Sequence, residues 1–247
     1  MQTLITISFV GTRYHGFQVQ KNALSVCETL QNAMEKLYAC RPDIKGCSRT
    51  DSGVHAVGFC VSYTQPKPIE LRRLPLSLNQ YLPKDIRVQH AQAVPDDFHA
   101  RYDAVAKEYV YRILNSPVCD PFQQDLCWRC GGHLDEARMA EAAAYFVGKH
   151  DFSAFMSAGS DITDTVREVQ FFTVKREGKN ITLHISADGY LYNMVRILVG
   201  TIKEVGTGHR APTDMPAILQ SKTRLAAGDT APACGLYLYK VHYSLHP

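Results

Sequence analysis

Two hydrophobic periods alternate along this chain. In residues 3–9, Ile5, Ile7 and Phe9 fall on one face and Thr6 and Ser8 on the other, the signature of a half-buried strand. Ser25-Val26-Cys27-Glu28 reads as a capping box, a serine three residues ahead of a glutamate, and Val26, Leu30, Ala33, Met34 and Leu37 then recur at helical spacing. Residues 58–64 and 86–93 are strand-like, separated by a loop with prolines. A similar plan follows. Residues 108–114 predict a strand with Tyr109, Tyr111 and Ile113 on one face. Asp135 opens a helix carrying Met139, Ala142, Ala143 and Phe146, which Gly148 is expected to end. Residues 169–176 and 181–186 predict a hairpin across Glu177-Gly178-Lys179-Asn180. A helix from about Tyr192 to Val205 is stopped by Gly206, a short one at 216–221 follows a Thr213 cap, and 236–243 is a last strand. Strands outnumber helices and hairpin signals recur. The expected class is therefore α+β with a mixed, mostly antiparallel sheet, in two parts, 1–104 and 105–247, with a boundary near 103–107.

Composition changes this picture little. In 247 residues, 45% are hydrophobic and 21% charged, ordinary for a globular chain and unlike a disordered or fibrous one. The stretch from Met1 to Val10 lacks the charged start and long apolar run of a signal peptide, and no window approaches the ~18 apolar residues of a membrane span. A cytoplasmic protein without membrane attachment is expected. Its 8 cysteines then read as reduced thiols. The one tight pair, Cys127-Trp128-Arg129-Cys130, has Cys119 and His133 nearby but no second pair, so no metal is expected. A net charge of +3 neither demands nor opposes a nucleic-acid partner, because a polyanion responds to a patch rather than to a sum.

The chemistry concentrates in Cys47-Ser48-Arg49-Thr50-Asp51-Ser52-Gly53-Val54-His55-Ala56, a loop between a helix and a strand. Small neighbours leave Asp51 open to close approach, and Arg49 suits phosphate contact or the holding of an ionised carboxylate. Two readings fit these residues, a functional loop and a plain polar turn, since Thr-Asp-Ser-Gly is good turn chemistry by itself. A third fails. Aspartic proteases use Asp-Ser-Gly or Asp-Thr-Gly twice, or once in a short chain that dimerises; the second half has no further copy, and an arginine opposes a shared proton.

Arg49-Thr50-Asp51-Ser52-Gly53-Val54-His55-Ala56 resembles the signature loop of tRNA pseudouridine synthases of the TruA family, whose aspartate is catalytic. Other segments agree in order. Gly11-Thr12-Arg13-Tyr14-His15-Gly16-Phe17-Gln18-Val19-Gln20 is similar to the family's opening motif, and Lys107-Glu108-Tyr109-Val110-Tyr111 to the segment whose first tyrosine stacks on the target base. Asn193-Met194-Val195-Arg196 and Gly235-Leu236-Tyr237 resemble the later motifs, which supply an arginine partner and an apolar pocket wall. The sequence departs from the family at Ser48, commonly glycine, and at Val10, commonly aspartate. Neither departure removes a catalytic side chain.

The resemblance implies the pseudouridine synthase fold: two α+β halves around a central mixed sheet, with the active site in the cleft between them. It also implies a homodimer acting on the anticodon stem-loop of tRNA, at positions 38, 39 and 40. Isomerising uridine to pseudouridine gains and loses no group or electron, so no cofactor is needed. Asp51 serves as nucleophile at ribose C1′ or as base at C2′, and both roles stay open. By resemblance, Arg196 keeps that carboxylate ionised, Tyr109 stacks on the flipped base, Arg49 enters the gap the base leaves, and Leu236 lines the pocket. From the residues alone, Arg196 also reads as an arginine snorkelling from a core helix and Tyr109 as a strand-face core residue. Two rival functions remain: an idle RNA-binding or RNA-folding protein on the same frame, and a synthase acting on other RNA sites. His55 reads as a hydrogen-bonding structural residue. Gly206-Thr207-Gly208-His209-Arg210 follows a helix rather than preceding one, so it reads as a helix stop and a possible RNA backbone contact.

Overall fold

The two periods become fifteen strands and helices in a computed structural model that describes residues 1–159 and 162–244. In chain order these are β1 (Gln2–Phe9), α1 (Val26–Tyr38), β2 (Lys45–Gly46), β3 (His55–Thr64), α2 (Leu74–Asn79), β4 (Ile86–Ala93), β5 (Ala104–Asn115) and β6 (Trp128–Cys130). They continue as α3 (Glu136–Ala144), β7 (Gly148–Asp151), β8 (Val166–Glu177), β9 (Asn180–Ala187), α4 (Met194–Gly206), α5 (Met215–Ser221) and β10 (Leu236–Tyr243). Among the described residues no helix is long and apolar enough to cross a membrane.

The chain forms two units. The first combines Met1–Val105 with the stretch that begins at Tyr237. Its strands lie in the order β4-β1-β3-β10, with β2 also on β3. β1 pairs antiparallel with both neighbours, whereas β10 runs parallel to β3 and sets Tyr237 opposite His55. The alternation of β1 does what its pattern predicts, since Ile5 and Ile7 are fully buried. α1 begins with the serine half of the capping box, its Ser25 Oγ accepting from the Glu28 N–H at 3.2 Å. It lays Leu30, Ala33 and Met34 into the core. α2 was not expected, because a six-residue helix shows too little period to read. Its proline, Pro75, sits in the first turn, where the missing N–H has no partner to lose.

The second unit, Ala106–Leu236, orders its strands β5-β9-β8-β7 with every neighbour antiparallel, and β6 pairs parallel with β5. The β8–β9 hairpin closes through two residues, Gly178 and Lys179, with Gly178 at φ +59°. Asp135 caps α3 through the Arg138 N–H at 3.1 Å. Gly148 does not end that helix, however. α3 stops at Ala144, three N–H groups at 145–147 bond back three residues in a tighter turn, and Gly148, at φ +104°, opens β7. α4 begins two residues later than its pattern suggested, and α5 is preceded by a 3₁₀ turn over Pro212–Asp214 rather than a Thr213 cap. Both units mix helices with mostly antiparallel strands, the α+β class the patterning implies.

Candidate active site

The loop bearing Asp51 begins where β2 leaves β3. Cys47 is its buried root: its N–H reaches the Cys60 carbonyl at 2.9 Å, and its Sγ accepts from the Cys60 N–H at 3.3 Å. From there Ser48 and Asp51 are half-buried and Arg49 is exposed. Ser48 Oγ donates to the Arg49 carbonyl at 3.3 Å. A tight turn follows, with the Val54 N–H on the Asp51 carbonyl at 3.2 Å and Gly53 at φ +79°.

This loop is backed by the segment after β1, so two motifs distant in sequence become one construction. The Tyr14 carbonyl accepts from the Gly53 N–H at 3.1 Å and from Ser52 Oγ at 3.4 Å. Gly16, at φ +82°, lies so near that a Cβ there would stand 2.2 Å from the Thr50 carbonyl oxygen. A Cβ on Gly11 would stand 1.9 Å from that of Val54. Only a bare backbone fits either place. The Gly11 N–H donates to His55 Nδ1 at 2.9 Å in a fully buried bond. An Nδ1 that accepts carries no proton, so His55 acts here as a neutral acceptor, with its ring stacked on Tyr237 at 4.7 Å. Tyr14 donates its hydroxyl to Asp85 Oδ1 at 2.8 Å, and burial first, then this partner, pushes its phenol well above the ordinary range. Val10, at the exposed end of β1, bonds its N–H to the Asp85 carbonyl at 2.9 Å. A polar residue would fit there as well.

In the second unit, Tyr109 stands on β5 opposite Ile185, only 7% exposed, with Tyr190 edge-on to it at 4.9 Å. Tyr190 is itself tied to the Lys107 carbonyl at 2.9 Å, and burial raises its phenol well above the ordinary value. Tyr111, on the same face, is the core member, its hydroxyl on the Pro232 carbonyl at 2.7 Å. Its ring presses on Gly235, where a Cβ would come within 2.5 Å. Leu236 follows directly and is buried. Arg196 is half-buried on α4 among the buried Val195, Ile197, Leu198 and Val199. Its Nε donates to the Ala231 carbonyl at 2.7 Å and its Nη1 to Asn193 Oδ1 at 2.9 Å. Arg196 and Tyr111 thus grip adjacent carbonyls of one loop.

Arg49 and Asp51 therefore share one loop of the first unit, while Tyr109, Arg196 and Leu236 stand on β5, α4 and the start of β10. Tyr14, with Asp85, supports the Asp51 loop, Tyr190 lies against Tyr109 and Asn193 against Arg196. Tyr14 and Asn193 belong to the motifs the sequence shows, whereas Asp85 and Tyr190 lie outside them, too far along the chain from their partners for a local pattern to mark. Among the described residues no group of three or more His, Cys, Asp or Glu side chains is disposed to hold a metal ion.

A family profile described as tRNA pseudouridine synthase matches residues 5–103 and 142–244. The Asp51 loop and Arg196 lie inside these spans, and Tyr109 lies between them. A tRNA pseudouridine synthase A of Thermoanaerobacter sp. (strain X514) is 44% identical over 240 residues, covering 97% of this chain and 98% of its own. One from Acetivibrio thermocellus is 44% identical over 239 residues, with the same coverage of 97% and 98%. One from Bacillus pumilus is 38% identical over 247 residues, covering 98% and 99%.

Proposed function

Because the chain belongs to the tRNA pseudouridine synthase family, we propose that it isomerises uridine to pseudouridine in tRNA, within the anticodon stem-loop at positions 38, 39 and 40. The reaction breaks the bond from ribose C1′ to base N1, turns the base, and joins C1′ to C5. The C5 proton leaves and N1 takes one up, so atoms balance without a cofactor.

The observation that carries this reading is the mounting of Asp51. Its loop is tied to Tyr14 and pressed on Gly16, while Asp51 itself is half-buried. A group that must meet one ribose carbon needs such pre-organisation, and a plain polar turn does not. As an anion, Asp51 attacks C1′ or takes the C2′ proton. Arg196 is its cationic partner by family resemblance, and an opposite charge favours the anionic form. The exposed Arg49 suits phosphate contact or the place the base vacates. Tyr109 receives the flipped base: flipping costs roughly a few kcal/mol and stacking returns about 1–3. Leu236 supplies apolar wall. The active form is a homodimer in the cytoplasm, one subunit holding the tRNA body while the other acts.

The test is tritium release from tRNA labelled at uridine C5, with wild type beside Asp51→Asn. Wild type is expected to release tritium from these positions. Asp51→Asn is expected to bind tRNA without release, and Tyr109→Ala to lose both binding and rate. Turnover by Asp51→Asn at the wild-type rate would remove Asp51 as the catalyst. Light scattering of the purified protein checks the dimer.

A further inference from the structure

Asn193 breaks a local rule. An asparagine at a helix N-cap normally takes an extended backbone and lends its side chain to the first N–H groups of the helix. Here it stands at φ 60°, ψ 9°, in the left-handed region, and its side chain makes no capping bond. The N-terminus of α4 gives up a cap, and a non-glycine residue takes a sparsely populated conformation.

The amide is spent elsewhere. Asn193 Oδ1 accepts from Arg196 Nη1 at 2.9 Å, and its Nδ2 donates to Ser157 Oγ at 2.9 Å. Ser157 is fixed in turn, its N–H bonded to the Tyr192 carbonyl at 3.1 Å. The guanidinium is also held at Nε, by the Ala231 carbonyl at 2.7 Å, and the Ala231 N–H returns to the Arg196 carbonyl at 3.1 Å. The loop supplying that carbonyl is moored to α4 again: the Gly228 N–H lies 2.9 Å from Thr201 Oγ1, and a Cβ on Gly200 would stand 1.8 Å from the Asp229 carbonyl. A planar guanidinium gripped at two nitrogens cannot rotate about its stem, so its other N–H groups point in a fixed direction.

We propose that Asn193 is a positioning residue for the isomerisation: its side chain, withheld from the helix end, orients the Arg196 guanidinium for the reaction. This rests on the reading that Arg196 serves catalysis. Helix stability does not account for the arrangement, because an asparagine retained for stability would cap.

The experiment is single-turnover tritium release by Asn193→Gly, Arg196→Lys, the double variant and Ser157→Ala, with tRNA binding measured alongside. Glycine accepts the left-handed backbone and removes only the amide. Asn193→Gly is expected to slow the chemical step about ten- to a hundredfold, the scale of a misplaced catalytic group, with tRNA affinity within about twofold of wild type. In the Arg196→Lys background the same change is expected to cost little more, since a lysine has no plane to orient. Ser157→Ala, which leaves the backbone alone, is expected to lose a few-fold in rate and keeps the test valid if Asn193→Gly fails to fold. Wild-type rates from Asn193→Gly or Ser157→Ala would overturn the proposal, as would Asn193→Gly and Arg196→Lys effects that multiply independently. Arg196→Lys at the wild-type rate would instead remove Arg196 from the reaction, a separate failure.

Discussion

Replacing Gly16 by alanine tests whether the opening motif sets the geometry of the Asp51 loop. The new Cβ would stand 2.2 Å from the Thr50 carbonyl oxygen, where ordinary contact begins at 3.4 Å, so something must give by about 1.2 Å. The obstacle is backbone, and that carbonyl belongs to the residue before Asp51. Displacement therefore passes directly to the loop that presents the carboxylate. Misplacement of about 1 Å at a reacting group costs about a hundredfold in rate, or roughly 2.7 kcal/mol of barrier. Separately, alanine at a φ of +82° costs about 1–2 kcal/mol of stability. Gly178→Ala separates the two effects, because Gly178 is also at positive φ, +59°, with nothing within 4 Å of its would-be Cβ. Gly178→Ala is expected to lose only the backbone cost in urea unfolding and Gly16→Ala more, because its clash adds to that cost, and only Gly16→Ala should lose its rate in single-turnover tritium release. If both turn over alike, the clamp on the Asp51 loop does not set its geometry for the reaction.

Three further outcomes are expected. His55→Leu leaves the buried Gly11 N–H without its acceptor and should cost about 1–3 kcal/mol in urea unfolding, with His55→Asn, which retains an acceptor, recovering part; equal losses in the two variants would speak against the bond. Tyr14→Phe removes a hydroxyl bonded to a carboxylate at 2.8 Å and should cost about 1.5–3 kcal/mol, with unchanged stability counting against it. Asp151 accepts from Thr165 Oγ1 at 2.6 Å, also receives the Ser153 N–H and lies 3.0 Å from Lys222, and these partners, the Thr165 hydroxyl foremost, hold its carboxyl well below the usual range. A folded-state pKa depressed in this way stabilises the protein above the unfolded carboxyl's ~3.9, and that contribution fades as pH falls towards the folded value. The advantage of wild type over Asp151→Asn should therefore shrink as pH is lowered from about 5; an advantage that grows in acid would contradict this.

Elements with two or more full periods were legible in the sequence. α1 with its serine cap, the β8–β9 hairpin and β10 stand as their patterns predicted. β6 and β7, of three and four residues, were not, because so short a stretch completes too little alternation to distinguish it from a loop. The signature around Asp51 was visible as a motif, but its support was not. Tyr14 and Asp85 are 71 positions apart and Gly11 and His55 are 44 apart, and neither pair leaves a local trace. The role of Gly16 depends on a carbonyl contact that a side-chain pattern cannot encode. Asn193 belongs to a motif in the sequence, yet its place at the head of α4 with its amide turned to Arg196 is visible only in three dimensions.

The first unit is discontinuous, and this gives its assembly a schedule. β3 carries His55 beside the Asp51 loop, but its parallel neighbour β10 and the ring of Tyr237 are made well over a hundred residues later. During synthesis, β1, β2, β3 and β4 can pair as soon as they emerge, while the His55–Ala56 end of β3 waits for β10 until the whole of Ala106–Leu236 has been translated. The Asp51 loop therefore gains its last neighbouring strand only after the second unit has had time to fold. A chain that stops before Tyr237 holds Asp51 and Arg196 both, with the strand edge beside His55 still open.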